Sequence, residues 1–579
     1  MLDHVFSPFT VAELALALAV LALALTVPWL GARFYETTER RGAAFAAHPL
    51  RQILAVGLLA IAVRAMVLPW LGVPTPVVHD EQSLMLQAQT YLAGRLANPT
   101  HPFWEHFETF YVNQIPVYAS MYFPGRGVPL AVGLLIAHNA WVGVWLSWVL
   151  MCMAAVWMLQ GWVSLPMAFL GGVLVVARFG IFSYWINSYW GGAFTALGGM
   201  LVVGAMPRIL REPGWRHGVL IGLGAVILMT TRPYEGMLLC APVAVFLLAR
   251  WAKTRWGGAR LAFVKIALPA TMLVGAGGAI LMAHNVALTG DPFTTGYTLN
   301  RMTYATVPAF LTAPPFKGQE RGPSYFRDFY DVEAKDYVRR YSPVKVVASV
   351  LGKFFHTWNF YIGAIFTAAF LAGLWSERRD RFLLGTTAFF MAGYALEVWN
   401  FPHYTAPLFP ILLIILMRGF EWLRKFELRN RPVGLFLTRA MPTAGLLVLL
   451  VPTSTVLFGV PVFSSSAGSQ ACCALPQQDL RSNLMQQFRA TPGRDLVLVV
   501  DGPNSPLHYD LVYNEPDIDK SEVVFAHSLG AQKDLRLREY FADRRAWKFE
   551  WRPDLPQGYL LTPLEPLKGA VRNGQLHTD

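Results

Sequence analysis

Apolar stretches long enough to cross a bilayer recur along most of this chain, and they fix its fold class before any motif is read. A membrane-spanning helix needs about 20 predominantly apolar residues. By that criterion about twelve spans are read, over 11–30, 52–71, 141–160, 166–182, 192–206, 217–231, 235–250, 266–286, 346–374, 382–399, 404–418 and 440–462. Only 15% of the 579 residues are charged, against about 25% in soluble domains. Hydrocarbon offers backbone groups no water, so such segments must be helices that satisfy themselves. The expected fold is a mostly α polytopic bundle. Val128–Ala137 is too short to cross and is read as an interfacial or re-entrant helix after Pro124-Gly125.

Basic residues orient the bundle. Arg33, Arg40, Arg41 and Arg51 lie in one loop, Arg208, Arg211 and Arg216 in a second, and Arg250, Lys253, Arg255, Arg260 and Lys265 in a third. Arg378, Arg379 and Arg381 follow, then the run from Arg418 to Arg439. The span count puts all five on one side, which the positive-inside rule makes cytoplasmic. The net charge of +12 therefore marks a membrane surface, and no nucleic-acid partner is expected. Segments 73–140, 286–345 and 464–579 face outward, as do both termini. Asp3 and His4 precede the first apolar run where a signal peptide would carry basic residues, so a retained helix is expected there.

After Phe463 the composition changes, dividing the chain into a membrane domain, 1–463, and a small outer α/β domain, 464–579. Ser464-Ser465-Ser466 opens a polar linker. Leu480, Leu484 and Phe488 recur at helical spacing. Leu496–Val500, Val523–Ala526 and Trp547–Trp551 read as strands, with a helix near Ala531–Ala542. The region lacks a Gly-rich nucleotide fingerprint, and a cap or a purely structural role are both open to it. Cys152 and Cys240 lie in apolar segments and read as packing residues. Cys472 and Cys473 could pair with other thiols, and no metal-ligand spacing appears.

The chemistry centres on His79-Asp80-Glu81, just beyond the 52–71 span and the turn at Pro74 and Pro76. Charge near hydrocarbon is costly and needs a reason. One reading is a general base facing a lipid-carried substrate, and the other is a solvated acidic loop. A helix is expected to run to about Leu96, with Leu84, Ala88 and Tyr91 on one packed face that holds Asp80 still. The outer loop closes with Tyr118-Ala119-Ser120-Met121-Tyr122-Phe123-Pro124-Gly125-Arg126-Gly127.

An acidic pair opening the first large outer loop, in a chain of about this many spans, resembles the GT-C superfamily of glycosyltransferases. Asp80-Glu81-x-Ser83, followed by a helix and a Pro-containing turn, is similar to the protein mannosyltransferase and aminoarabinose transferase branch. The resemblance covers roughly 50–460. It implies an integral enzyme of the bacterial inner membrane that takes a sugar from a polyprenyl-phosphate carrier and passes it to a lipid, glycan or protein acceptor. It also implies Asp80 as general base, with inversion at the sugar carbon. Glu81 would orient the acceptor or a neighbouring cation, and His79 would hydrogen-bond the carboxylates or serve as a plain interfacial histidine. The chain departs from that branch at the loop end, with Phe123-Pro124-Gly125-Arg126 in place of Lys-Pro-Pro, and in its extra N-terminal span.

A lipid phosphate needs cationic partners at the outer boundary, and guanidinium suits phosphate geometry. Arg126, Arg232, Arg178 and Arg64 fit that position, and for each a structural ion pair is the competing reading. Tyr189, within the aromatic segment 183–192, and His403 and Tyr404, in a tight outer turn, could line the site. Loop 286–345 carries Asn300-Arg301, Tyr304, Lys317, Arg321, Arg327 and Arg339-Arg340, with a helix near Val332–Tyr341, and could order over a substrate. The carrier brings its own leaving group, so no cofactor or metal is demanded, although Asp80 or Glu81 could hold a divalent cation. The alternatives are a transporter or flippase, and a non-catalytic scaffold. Transporters keep binding groups at mid-membrane, whereas the polar groups here cluster outside.

Overall fold

The computed structural model describes residues 8–253, 256–316, 324–340, 343–377, 381–458, 479–502, 505–506 and 509–566. Lys317, Arg321, Cys472, Cys473 and the Ser464–Ser466 linker lie outside them. The chain is a multi-pass helical membrane protein with a small mixed sheet near its C-terminus. Among the described residues, seven helices are long and apolar enough to cross a membrane: Pro8–Thr26, Pro49–Leu71, Ala140–Leu159, Ala193–Arg211, Pro233–Ala252, Arg260–Thr289 and Val433–Phe458. The expected spans near 166–182, 217–231, 382–399 and 404–418 are shorter helices, Leu165–Phe179, Trp215–Thr231, Arg381–Ala395 and Phe409–Leu423. Pro124–Ala137 is a short apolar helix, as its length required.

The expected span 346–374 is two helices, Val344–Tyr361 and Gly363–Ser376, bent by 102°. The break has an identifiable cause. Gly363 holds φ at 73°, a conformation that costs other residues. Its missing side chain leaves room for the Glu13 carboxylate. Arg178 satisfies the carbonyls of Asn359 and Phe360 before the break and pairs with Glu13 at 2.8 Å. The extra N-terminal helix is thereby tied to the broken pair.

The three segments that hydropathy assigned to one face meet in a single layer. Asn113 donates to the Gly296 carbonyl at 3.0 Å, and Tyr304 donates to Glu108 at 2.9 Å. Phe110 packs on Phe326, Phe329 and Tyr330 of the Ser324–Arg340 helix. Elsewhere, Arg424 and Arg439 both pair with Glu39, at 2.6 and 2.8 Å.

The C-terminal sheet has the strand order Val523–His527, Asp495–Val500, Arg545–Trp551, Tyr559–Pro563. The first three strands run parallel and the last is antiparallel. Alternation sorts the side chains between two faces. Val497, Val499, Val523 and Phe525 pack on Leu484 and Phe488 of the Leu480–Arg489 helix. Leu496, Leu498, Val524 and Ala526 join Leu86, Phe107, Val112 and Tyr118 of the first outer loop. The two regions therefore share one core.

His527, at the end of its strand, is 0% exposed and lies 2.6 Å from Asp501 and 3.5 Å from Asp510. Asp510 in turn accepts from Thr109 of the outer loop at 2.6 Å. Burial lowers the imidazole pKa, but the two carboxylates outweigh it and lift the group to about 10. A raised folded pKa stabilises fully below the ordinary value of 6.5 and loses that contribution as pH climbs to about 10. Thermal unfolding of the detergent-solubilised protein should show a midpoint that falls across this window. His527→Gln should unfold earlier at pH 7 and show a flatter profile.

Candidate functional site

Glu81 builds the platform on which Asp80 stands. Val78 is extended, with φ −87° and ψ 160°, and the helix His79–Leu92 begins after it. Glu81 turns back to accept from the backbone N–H of Val77 at 2.8 Å and Val78 at 3.0 Å, as a carboxylate at this helix position does. Its second oxygen accepts from the backbone of Tyr189 at 2.8 Å, and the Tyr189 hydroxyl donates to the Pro74 carbonyl at 2.7 Å. Burial pushes the Glu81 pKa up to about 7 against the pull of these three N–H donors. Both oxygens are engaged in these backbone hydrogen bonds. Tyr189 likewise pins the loop, although its ring also lines the cleft described below.

Asp80 points elsewhere. Its carboxylate is half-buried and accepts the Tyr122 hydroxyl proton. Burial raises its pKa, while the Tyr122 hydrogen bond and the charges of Arg126 and Arg232 pull it down without cancelling the rise. Glycines flank Arg126. A Cβ on Gly125 would strike Thr230, and one on Gly127 would strike Gln87. The turn 124–127 can therefore lie directly against the turn that carries Arg232.

Arg126 sits over the Tyr122 ring at 4.7 Å and donates to the Trp190 carbonyl at 3.3 Å. Arg232 ends the helix Trp215–Thr231 and caps Pro233–Ala252. It stacks on Tyr404 at 3.7 Å and pairs with Glu235 at 2.9 Å. The two guanidinium groups repel each other. Burial, with both arginines nearby, drives the His403 pKa well below its ordinary value. The neutral imidazole bonds the Tyr184 hydroxyl at 3.1 Å. Beside Arg126 a small cleft is lined by Leu130, Ser147, Trp185, Tyr189 and Thr231. Two half-buried cations near one carboxylate favour an anionic ligand.

The other sequence candidates are held apart from Asp80. Arg178 serves the Glu13 pair and the helix break. Arg301 grips Glu333 with both terminal nitrogens, at 3.0 and 2.8 Å, and the Val307 carbonyl at 2.6 Å. Arg64 is buried over Trp141 at 5.0 Å and reaches the Ile181 carbonyl at 3.4 Å. No loop carboxylate pairs with it among the described residues. His79 turns toward the C-terminal domain.

Sequence reasoning missed Glu397. It is buried, and one carboxylate oxygen has no hydrogen-bond partner among the described residues. It feels the charges of Glu235, Arg232 and Lys353. A carboxylate inside the apolar run 382–399 was the available signal, because the helix stops at Ala395 and leaves Glu397 in the turn beyond it. Among the described residues no three His, Cys, Asp or Glu side chains converge as an ion site.

No family model and no curated protein matches the chain. Among solved structures it is similar to ArnT from Cupriavidus metallidurans in the apo state, at 13% identity and a TM-score of 0.47, over 86% of this chain and 93% of that one. ArnT bound to undecaprenyl phosphate gives a TM-score of 0.46 at the same identity and coverage, 13%, 86% and 93%. The Archaeoglobus fulgidus oligosaccharyltransferase in complex with Zn and sulfate gives 0.43 at 9% identity, over 86% of this chain and 67% of that one.

The two carboxylates should respond oppositely to neutralisation. Glu81→Gln puts an NH₂ against backbone donors and should cost about 2–3 kcal/mol. Asp80→Asn removes a charge that burial disfavours and should leave stability unchanged or higher. Thermal unfolding in detergent at pH 7 reads both.

Proposed function

We propose that this protein is a membrane glycosyltransferase that moves a sugar from a polyprenyl-phosphate carrier to an acceptor hydroxyl, with inversion. The observation that carries the reading is the Asp80 carboxylate, bonded to Tyr122 and within the fields of Arg126 and Arg232. Asp80 takes the acceptor's hydroxyl proton. The acceptor oxygen bonds to the anomeric carbon from the face opposite the phosphate. The bond from that carbon to the phosphate oxygen breaks, and the electron pair leaves with the polyprenyl phosphate.

A raised carboxylate pKa suits a base that must hold a proton during the transfer. Arg126 and Arg232 would meet the charge that grows on the departing phosphate, where fixed cations act most strongly. Tyr404 and Glu235 hold Arg232, and Gly125 lets Arg126 approach it. The neutral His403 adds no third positive charge. A metal is not required in this scheme. The basic loops on the other face support an outer, periplasmic site in a bacterial inner membrane.

The test is transfer from a panel of labelled polyprenyl-phosphate sugars by the purified protein. Asp80→Asn should stay folded and lose about 10²–10⁴-fold in rate. Arg126→Gln and Arg232→Gln should each lose about 10²-fold. An active wild type with an equally active Asp80→Asn variant would remove Asp80 as the base. No transfer from any donor, with lipid translocation into vesicles instead, would favour a flippase.

A further inference from the structure

The C-terminal domain reaches the first turn of the His79–Leu92 helix through one side chain. Tyr513 is 5% exposed and belongs to the core that the sheet shares with the outer loop. Its hydroxyl lies 3.1 Å from His79 Nδ1 and donates to the Phe110 carbonyl at 3.2 Å. A phenol has one proton to give. With that proton on a carbonyl, which only accepts, the hydroxyl meets His79 as an acceptor. In that arrangement His79 Nδ1 carries the hydrogen. The Phe110 ring stacks on the imidazole at 4.2 Å and keeps it in the plane of that bond.

Asp80 is thus flanked by two anchored neighbours. Glu81 is tied to Val77, Val78 and Tyr189 of the membrane domain. His79 is tied to the C-terminal domain. A roll of this helical turn would swing Asp80 away from Tyr122 and Arg126, and it must first break one of these anchors. The docking that presents Tyr513 is itself hydrogen-bonded. Tyr118 donates to the Asn514 carbonyl at 2.8 Å, and the Asp479 backbone donates to Thr75 at 2.9 Å. Arg95 pairs with Asp517 at 3.0 Å.

We propose that Tyr513 is a positioning residue for Asp80. By fixing the tautomer and orientation of His79, it makes the transfer rate depend on how the C-terminal domain is docked. The inference rests on the reading of Asp80 as the base.

Tyr513→Phe keeps the ring and removes the hydroxyl. It should lower kcat by about ten- to a hundredfold, the scale of a small misplacement of reacting groups. KM should change by less than about twofold, as expected where ground-state binding is untouched. Asparagine places a donor where His79 Nδ1 stands, and glutamine does not. His79→Asn should therefore keep more of the rate than His79→Gln, which should fall with Tyr513→Phe. Hydrogen exchange of the amides at 78–82 in full-length protein gives a readout independent of activity and should quicken in Tyr513→Phe while the thermal midpoint holds. A folded Tyr513→Phe protein with wild-type kcat and wild-type exchange would overturn the proposal. Should the wild type transfer no sugar, the transferase reading fails, and the exchange comparison still decides whether Tyr513 holds this turn.

Discussion

The arrangement depends on one buried carboxylate that takes no part in the proposed chemistry. Glu81 joins the loop before its own helix to a segment 108 positions away through three backbone N–H bonds. Removing a carboxylate from water is expensive, and only a full set of donors offsets it. That cost makes the geometry specific, because a slipped loop would leave either the acid or the amides without partners. Asp80 inherits its direction from this constraint. Without Glu81 seated, the turns that carry Tyr122, Arg126 and Arg232 would have no fixed carboxylate to surround.

The same rule accounts for two other arginines that the sequence offered as candidates. Arg178 with Glu13 and Arg301 with Glu333 are paired, buried and also bonded to carbonyls. A buried ion pair adds little net stability, but breaking one is costly. These pairs act as registers. The first locks the N-terminal helix to the broken pair, and the second closes loop 286–345 on itself. Arg232 is paired too, with Glu235, but Arg126 and Arg232 each lie over a tyrosine ring and both bear on the charge of Asp80.

Much of the fold was legible. Apolar length located the bundle helices, and a short apolar run located the strand at 496–500, with further strands expected at 523–526 and 547–551, because burial acts locally on each element. The acidic pair stood out in the sequence as a candidate because charge near an apolar span is conspicuous. The division of labour within the pair was not, since both residues are carboxylates at adjacent positions and only the approach of Tyr189 and Tyr122 separates them. The 102° break near Gly363 escaped notice because its cause, Glu13 with Arg178, lies far off in sequence. Glu397 was absorbed into an apolar run for the same kind of reason.

The sequence alone determined that this chain is a helical membrane protein with its acidic motif at a boundary and an α/β domain at its end. Hydrocarbon forces helices, and periodicity records which side of each element is buried. Tertiary structure alone decided which arginines meet Asp80, that Glu81 is architectural, and that the C-terminal domain shares a core with the loop bearing the motif. Those outcomes turn on contacts between residues that are distant in the chain. They are set by which buried charges and donors find partners as the segments pack.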